Sequence, residues 1–184
     1  MRRDEEILEA AAELFLARGF HKVTLDEIGR QVGVTGPAIY RHFSSKEEIL
    51  ETVLDRTMDR LLLLVQCTDG SDDPVAVLDG LVRAQIEFVL TVRPMVTLYV
   101  REAHGLSDSW RRRMNRRQRQ QVTRWVDAMR GVFPDRPLED LQVAAHACIG
   151  MSLSVAQWPR DVGQAAGLEE RLRGLIEGAL SALD

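Results

Sequence analysis

The stretch VTLDEIGRQVGVTGPAIYRHFSSKEEIL, residues 23–50, contains two short helical patterns separated by a glycine turn. Thr24 and Glu27 have the spacing of a capping box, which predicts the start of a helix at that point. Gly33 interrupts the helix two turns later, and a second short helix is expected over residues 36–42. Two short helices joined by a tight turn are the arrangement of a helix-turn-helix.

The second short helix has one apolar side and one polar side. On a helical wheel Ile39 and Phe43 point the same way, which predicts that they pack on Ile28 of the first helix. Tyr40 and Arg41 then face outward. A folded protein gains little by exposing such groups to water, whereas a helix that enters the major groove of DNA needs them there.

Individual contacts follow from this placement. We expect base-edge contacts from Thr35, Gly36, Pro37 and Arg41, and phosphate contacts from Thr24, Tyr40, His42 and Lys46. An arginine can bond guanine, and helix N-termini attract anions. Residues 22–46 carry four basic and two acidic side chains, although the chain as a whole has a net charge of −4. The alternative is that Tyr40 and His42 only cover a small core.

The same residues resemble the TetR family of bacterial transcriptional repressors over about residues 5–55. The positions that match the family pattern are Gly19, Phe20, Thr24, Ile28, Gly33, Val34, Tyr40, Phe43 and Lys46. The resemblance implies an all-α fold with a three-helix DNA-binding head, residues 1–50. A long helix, about 46–66, joins it to a helical ligand-binding and dimerisation domain, residues 51–184. It also implies a homodimeric repressor that binds a palindromic operator and is released by a small hydrophobic effector.

Composition is consistent with such a protein. Hydrophobic residues make up 45% of the 184 residues, enough for a sizeable core. The two cysteines, Cys67 and Cys148, are far apart, which favours free thiols in a reducing compartment. The charged start of the chain lacks the apolar core of a signal peptide, and no stretch is long enough to span a membrane. We therefore expect a cytoplasmic protein with no membrane partner and no cofactor.

The second half of the chain has helical periodicity throughout, and its last two helices carry wide apolar or small-residue stripes. In the family these helices pair across a two-fold axis, so we expect a dimer interface there. The candidate interface residues are Ala144, Cys148, Leu168, Leu172, Leu175, Ile176, Ala179 and Leu180. The alternative is that both stripes pack only within one chain.

A ligand cavity in this body requires apolar walls with a few polar groups. The candidates are Phe88, Leu98, Tyr99, Glu102, Met114, Trp125, Met129, Met151 and Trp158. For each apolar or aromatic member, ordinary core packing is the simpler explanation, and a ligand contact is the alternative. Glu102 follows an apolar run, and it either pairs with Arg101 or another arginine or meets a ligand.

Six arginines fall between residues 111 and 119 with no acid among them. A solvated helix face is one interpretation. The other is an anion-binding rim formed by Arg112, Arg113 and Arg116, because arginine forks suit phosphates. The order of motifs in this half is similar to that of TetR-type regulators that sense acyl-CoA thioesters. That similarity implies an apolar tunnel for the acyl part and arginines for the phosphates.

Two other classes of function remain as alternatives. An enzyme is disfavoured because the four histidines have no catalytic or metal-binding spacing; a metal site of His104, His146 and Glu102 is the weak exception. A helical ligand- or partner-binding protein without DNA binding leaves the exposed array around Tyr40 unexplained. The sequence therefore favours a DNA-binding regulator.

Overall fold

Local capping signals set several of the helix ends. Thr24 Oγ1 accepts a hydrogen bond from the Glu27 amide, and Glu27 Oε2 accepts one from the Thr24 amide at 2.9 Å, which confirms the capping box. Gly19 has a φ of 85°, a left-handed conformation that favours glycine, and its N–H bonds the carbonyl of Phe15 where the first helix ends. Pro94 lies in the first turn of a later helix, where its missing N–H costs little.

A computed structural model describes residues 3–66, 71–159 and 161–183, and within these ranges all regular structure is helical. This confirms the predicted all-α class. The α-helices are α1 (Arg3–Arg18), α2 (Leu25–Gln31), α3 (Gly36–Ile39), α4 (Lys46–Gln66), α5 (Pro74–Thr91), α6 (Arg93–Glu102), α7 (Asp108–Val132), α8 (Leu138–Ser154) and α9 (Leu168–Leu180). Short 3-10 turns connect some of them, including Phe20–Lys22 and Val155–Gln157.

Two hydrophobic cores hold these helices together. The first, which we call the head core, is built from α1 to α4, with Ile28, Ile39 and Phe43 packed as predicted. It also takes in Trp110 and other residues of α6 and α7. The second, the body core, is built from α4 to α9. Met58 of α4 packs against both, so α4 connects the two cores by side-chain contact as well as by the chain.

Three boundaries differ from the sequence-based expectation. The α-helix α3 ends at Ile39, although the amides of His42 and Phe43 still bond its carbonyl. Helical periodicity predicts a helix over about residues 138–157, but in the structure it changes to a 3-10 turn after Ser154. Periodicity predicts a last helix over about residues 165–183; the helix begins at Leu168 because Gly167 adopts a left-handed φ of 70° just before it. The stretch TDGSDDP, residues 68–74, predicts a loop between α4 and α5; Cys67 and residues 68–70 lie outside the described residues.

Candidate nucleic-acid interface and ligand pocket

The outer side of α3 and the turn that follows it expose Tyr40 and Arg41. The Tyr40 side chain is 60% exposed, whereas Ile39 beneath it is fully buried and Phe43 is nearly so. Among the described residues, no acceptor or carboxylate engages the Arg41 guanidinium. Thr35 caps α3 by position without a side-chain hydrogen bond, and Pro37 is exposed beside it. These four residues can therefore approach a nucleic acid without losing an internal partner.

Glycines set the close approach of α2 and α3. A Cβ on Gly29 would lie 2.8 Å from the Val34 carbonyl oxygen, and Gly29 is buried beneath that turn. Gly36 is also buried, and a Cβ there would meet the Asp26 carboxylate. Base contact was expected of Gly36; the structure instead places it against α2. Sequence reasoning missed Gly29, for which the only signal was a glycine inside a helical pattern.

Two of the residues expected to contact phosphates have partners within the head. The Lys46 ammonium donates to the carbonyls of Phe20 and Val23, at 2.9 Å each, and lies 4.4 Å from the centre of the Phe20 ring. Lys46 therefore fastens the start of α4 to the preceding turn with two of its three N–H donors, and its phosphate contact stays a prediction. His42 Nδ1 lies 2.8 Å from Asp4 Oδ1 on α1.

Thr24 is exposed, but its hydroxyl also faces an acid. The hydroxyl lies 3.1 Å from Glu27 Oε2. Hydrogen bonds from the Thr24 amide and hydroxyl, with a smaller contribution from Arg18, hold the pKa of Glu27 below its ordinary value. An ionised carboxylate at this point opposes a nearby phosphate. Any phosphate contact by Thr24 would have to accommodate that charge.

A cavity of about 290 Å³ lies among α4, α5, α6, α7 and α8. Its apolar wall consists of Leu54, Met58, Leu61, Phe88, Met95, Val96, Met114, Val122, Ile149 and Leu153. Its polar groups are Thr57, Tyr99, Gln118, Gln121 and His146. Among the described residues that line it there is no Asp, Glu, Lys or Arg. Such a cavity suits a largely apolar, uncharged group.

Three of the nine pocket candidates line this cavity, namely Phe88, Tyr99 and Met114. The six that do not are Leu98, Glu102, Trp125, Met129, Met151 and Trp158. Five of these pack into or against the two cores, and Trp125 and Met129 are fully buried there. Helical spacing identifies a buried face, but it does not show which buried face borders a void.

Glu102 has a partner in the head. Its Oε2 lies 3.2 Å from His21 Nε2 in the Phe20–Lys22 turn, so it pairs with a histidine and not with Arg101. Within the described ranges no group of three metal-ligating side chains occurs. The weak metal alternative at Glu102 therefore has no support from the described geometry.

Part of the arginine segment pairs with acids on α4. Arg113 lies 3.7 Å from Glu51 and 3.6 Å from Asp55, and Arg117 lies 2.9 Å from Asp55 and 3.1 Å from Asp59. Burial raises the pKa of Asp55 even though both arginines oppose that rise. These pairs join α7 to α4. Arg113 therefore does not belong to a free anion rim, contrary to expectation.

Arg111 pairs with Asp108 on the same helix, whereas the other three arginines of the segment behave differently. In the described part of the chain, Arg112, Arg116 and Arg119 form no ion pair, and all three are exposed. Arg119 borders a surface groove that shares Gln118, among other residues, with the wall of the cavity. One exposed cation, Arg119, therefore lies in a groove next to the cavity, and the same groove also contains Glu139.

The proposed dimer stripe divides into an inner and an outer side. Cys148, Leu172, Ile176 and Leu180 are buried in the body core of the same chain, so they cannot face a partner as expected. Ala144, Leu168 and Ala179 are partly buried. Leu175 alone of the predicted set is well exposed, at 61%. The apolar stripe was read as one surface although half of it faces inward.

An outer α8–α9 face remains, formed by Val143, Ala147, Gly174, Leu175 and Gly178. Val143 is 70% exposed, and space is open around the two glycines. Small residues of this kind let a second helix approach closely. Cys148 lies beneath the face, where burial raises its pKa to about 11, so its thiol stays protonated at neutral pH.

No helix in the described ranges combines the length and apolarity needed to cross a bilayer.

Two family descriptions match the chain. "Bacterial regulatory proteins, tetR family" matches residues 7–53, and "Tetracyclin repressor-like, C-terminal domain" matches residues 71–169.

Named relatives agree with those matches. The chain is 33% identical over 144 residues to the HTH-type transcriptional repressor KstR2 of Mycolicibacterium smegmatis, covering 77% of this chain and 70% of that protein. The solved structure of the ketosteroid transcriptional regulator KstR2 of Mycobacterium tuberculosis superimposes with a TM-score of 0.80 at 26% identity, covering 98% of this chain and 94% of that one. AibR, solved with isovaleryl coenzyme A and operator DNA, shares the fold, with a TM-score of 0.80, 24% identity and coverage of 96% and 97%.

Proposed function

Because the chain belongs to the TetR family of bacterial regulatory proteins and is a ligand-responsive transcriptional repressor, we propose how its two sites work together. The head, residues 1–50, reads a palindromic operator, and the body, residues 51–184, binds the effector and a second copy of the chain. The protein acts in the cytoplasm, where its operator DNA lies.

The exposed residues of α3 and the following turn read the operator. Arg41 and Thr35 meet base edges, Pro37 makes an apolar contact, and Tyr40 reaches a phosphate. A two-fold dimer through the outer α8–α9 face places two such surfaces about one DNA turn apart, roughly 34–36 Å. Each copy then reads one half of the palindrome.

One observation supports control by an effector: the pocket is lined by the helices that also contact the head. Met58 of α4 borders the cavity and packs on both cores. Met95 and Tyr99 of α6 line the cavity and pack against the head core, and Glu102 at the end of α6 pairs with His21. A ligand that separates α4 from α6 changes the support of the head.

The effector acts by shifting a population. It binds the conformation in which the two heads misfit the operator more tightly than the conformation that fits it, and its effect is limited by that difference in affinity. Occupancy of the pocket therefore lowers operator affinity without any contact between effector and DNA.

An acyl-CoA thioester is the effector class that we propose. Its acyl part is uncharged and suits the apolar cavity, and its phosphates need cations outside it. Arg112, Arg116 and Arg119 are exposed and free of ion pairs within the described residues, and Arg119 borders the groove that adjoins the pocket. The relative described as a ketosteroid regulator supports a bulky apolar ligand in this fold.

Gel-shift titration with the DNA upstream of the protein's own gene tests the proposal. We expect decanoyl-CoA to release the DNA, and coenzyme A alone to leave it bound. Thr57→Met narrows the cavity from α4 and should weaken the response to decanoyl-CoA by about tenfold while leaving DNA affinity unchanged, because added methylenes compete for the ligand's space.

Thr52→Met is the matched control. Thr52 and Thr57 lie on the same helix, and each hydroxyl donates to the carbonyl four residues earlier, but only Thr57 lines the cavity. An equal loss of response in both variants, or release of DNA by coenzyme A alone, contradicts the pocket assignment. If the protein binds the DNA but decanoyl-CoA does not release it, only the proposed effector class is contradicted.

A further inference from the structure

A buried chain of hydrogen bonds supports one polar wall of the cavity. Gln121 Nε2 donates to Gln85 Oε1 at 2.6 Å, Gln85 Nε2 donates to Ser152 Oγ at 3.0 Å, and the Ser152 hydroxyl donates to the Ile149 carbonyl at 2.7 Å. A backbone carbonyl only accepts. The direction of every bond in the chain is therefore fixed, and so is the orientation of both amides.

This fixed direction determines what Gln121 offers to the cavity. One of its N–H groups is used by Gln85, and among the described residues no donor reaches its Oε1. The side chain is only 4% exposed and lines the cavity. Gln121 Oε1 is itself not sealed from solvent, so it stays open to the cavity, where a ligand that donates a hydrogen bond can reach it.

Tyr99 supplies the complementary group. Its oxygen accepts from Gln118 Nε2 at 2.6 Å, which leaves the phenolic proton free to be donated into the cavity. Gln118 precedes Gln121 by three residues on α7, a rise of about 4.5 Å along the helix. Tyr99, Gln118 and Gln121 all line the cavity, so a ligand inside it can meet both the Tyr99 donor and the Gln121 acceptor.

We propose that the part of the effector inside the cavity is uncharged and hydroxylated, with a hydroxyl that donates to Gln121 Oε1 and an oxygen that accepts from the Tyr99 hydroxyl. This inference rests on the proposed function of the cavity as the effector site and names the chemistry it selects. A hydroxyacyl thioester or a hydroxylated ring meets the requirement. A free carboxylate does not, because none of the described lining residues is Lys or Arg and Gln121 Oε1 repels an anion.

Three probes of equal size separate these possibilities: 1-undecanol, 2-undecanone and decanoate. Binding to the full-length dimer is measured by calorimetry at neutral pH, where decanoate is ionised. We expect undecanol to bind about fivefold more tightly than undecanone, which cannot donate to Gln121. Decanoate should bind at least about tenfold more weakly than undecanol.

Two variants assign the preference to residues. Gln121→Met keeps the side-chain volume. It should weaken the binding of undecanol by about tenfold, while the affinity for undecanone changes little. Tyr99→Phe removes one oxygen. It should weaken the binding of undecanone by about fivefold, and undecanol should still bind more tightly than undecanone. Circular dichroism and the melting temperature of the ligand-free variants check that both are folded. If Gln121→Met does not fold, Tyr99→Phe still tests the inference.

The outcomes separate this inference from the function beneath it. Equal binding of all three probes, or an undecanol preference that survives Gln121→Met, overturns the inference and leaves the cavity as the effector site. If none of the probes binds and decanoyl-CoA also fails to release DNA, the proposed function fails and this inference fails with it.

Discussion

The head and the body present their functional groups in opposite directions. The head exposes a few residues, close together in sequence, on a four-residue helix and the turn after it, and it uses buried residues only to hold that surface in place. The body encloses its site with side chains from five helices and leaves its polar groups facing inward. A local motif therefore describes the first site, whereas the second exists only after the helices have packed.

The largest expected effect concerns the outward-facing site. Arg41→Ala should lower operator affinity by about a hundredfold or more, because a good base contact contributes about 1–3 kcal/mol and the dimer makes it twice. Arg112→Ala, a change of the same kind on the body surface, should alter DNA affinity less than about twofold. Fluorescence anisotropy with the upstream DNA measures both, and equal losses in the two variants would contradict the head assignment.

The inner and outer sides of α9 provide the next contrast. Leu172→Ala removes a side chain that is 1% exposed and should lower the free energy of unfolding by about 2–5 kcal/mol. Leu175→Glu places a charge on the outer α8–α9 face and should dissociate the dimer while the monomer stays folded. Urea titrations and sedimentation velocity distinguish the two effects; a dimer that persists in Leu175→Glu removes that face as the interface.

Gly29→Ala tests how closely α2 must approach the turn before α3. The added Cβ would lie 2.8 Å from the Val34 oxygen and 3.2 Å from the Thr35 carbonyl carbon, so the backbone has to move. We expect about 1–3 kcal/mol of destabilisation, as for other overpacked sites, together with weaker DNA binding. Gly105→Ala, where space is open, is the control in thermal melts. Unchanged DNA binding in Gly29→Ala shows that the turn tolerates displacement.

The smallest expected effect concerns the pairs between α4 and α7. The pKa of Asp55 is raised in the folded protein, so protonation stabilises the fold at low pH and that contribution is lost as the pH rises through the folded pKa. Asp55→Asn does not titrate at this position. Its stability relative to the wild type should therefore improve between about pH 4 and pH 7, by no more than about 1 kcal/mol.

Asp59→Asn removes a more exposed charge from the same face and serves as the control for that measurement. Urea unfolding at each pH gives the free-energy difference. A relative stability of Asp55→Asn that falls as the pH rises would show that the pairing with Arg113 and Arg117 outweighs the burial of the carboxylate.

Sequence reasoning succeeded where structure is local and failed where it depends on packing. The capping box at Thr24, the buried Ile39 and the exposed Tyr40 all follow from spacing within one or two helical turns. The pocket does not, because Trp125 and Tyr99 have the same kind of helical spacing and only the packed structure places one in solid core and the other beside a void.

For a related reason, the sequence does not show which charged side chains have partners within the fold. Lys46 was expected to face phosphates, but its partners are backbone carbonyls more than twenty residues away, which no side-chain pattern records. Arg113 and Arg112 look alike in the sequence, and they differ only because acidic residues of α4 lie close to Arg113. Periodicity indicates which way a residue points, and the tertiary fold decides what it meets.

The internal use of Lys46 has a consequence for the search along the chromosome. A lysine whose ammonium is held by two carbonyls should displace fewer counterions from a duplex than a free lysine would, so we expect Lys46 to add little to the salt dependence of each head on random DNA. A single head then leaves nonspecific DNA quickly. In the proposed dimer, occupancy of the operator then depends on both heads binding together, and we expect a modest change in their separation to vacate the promoter.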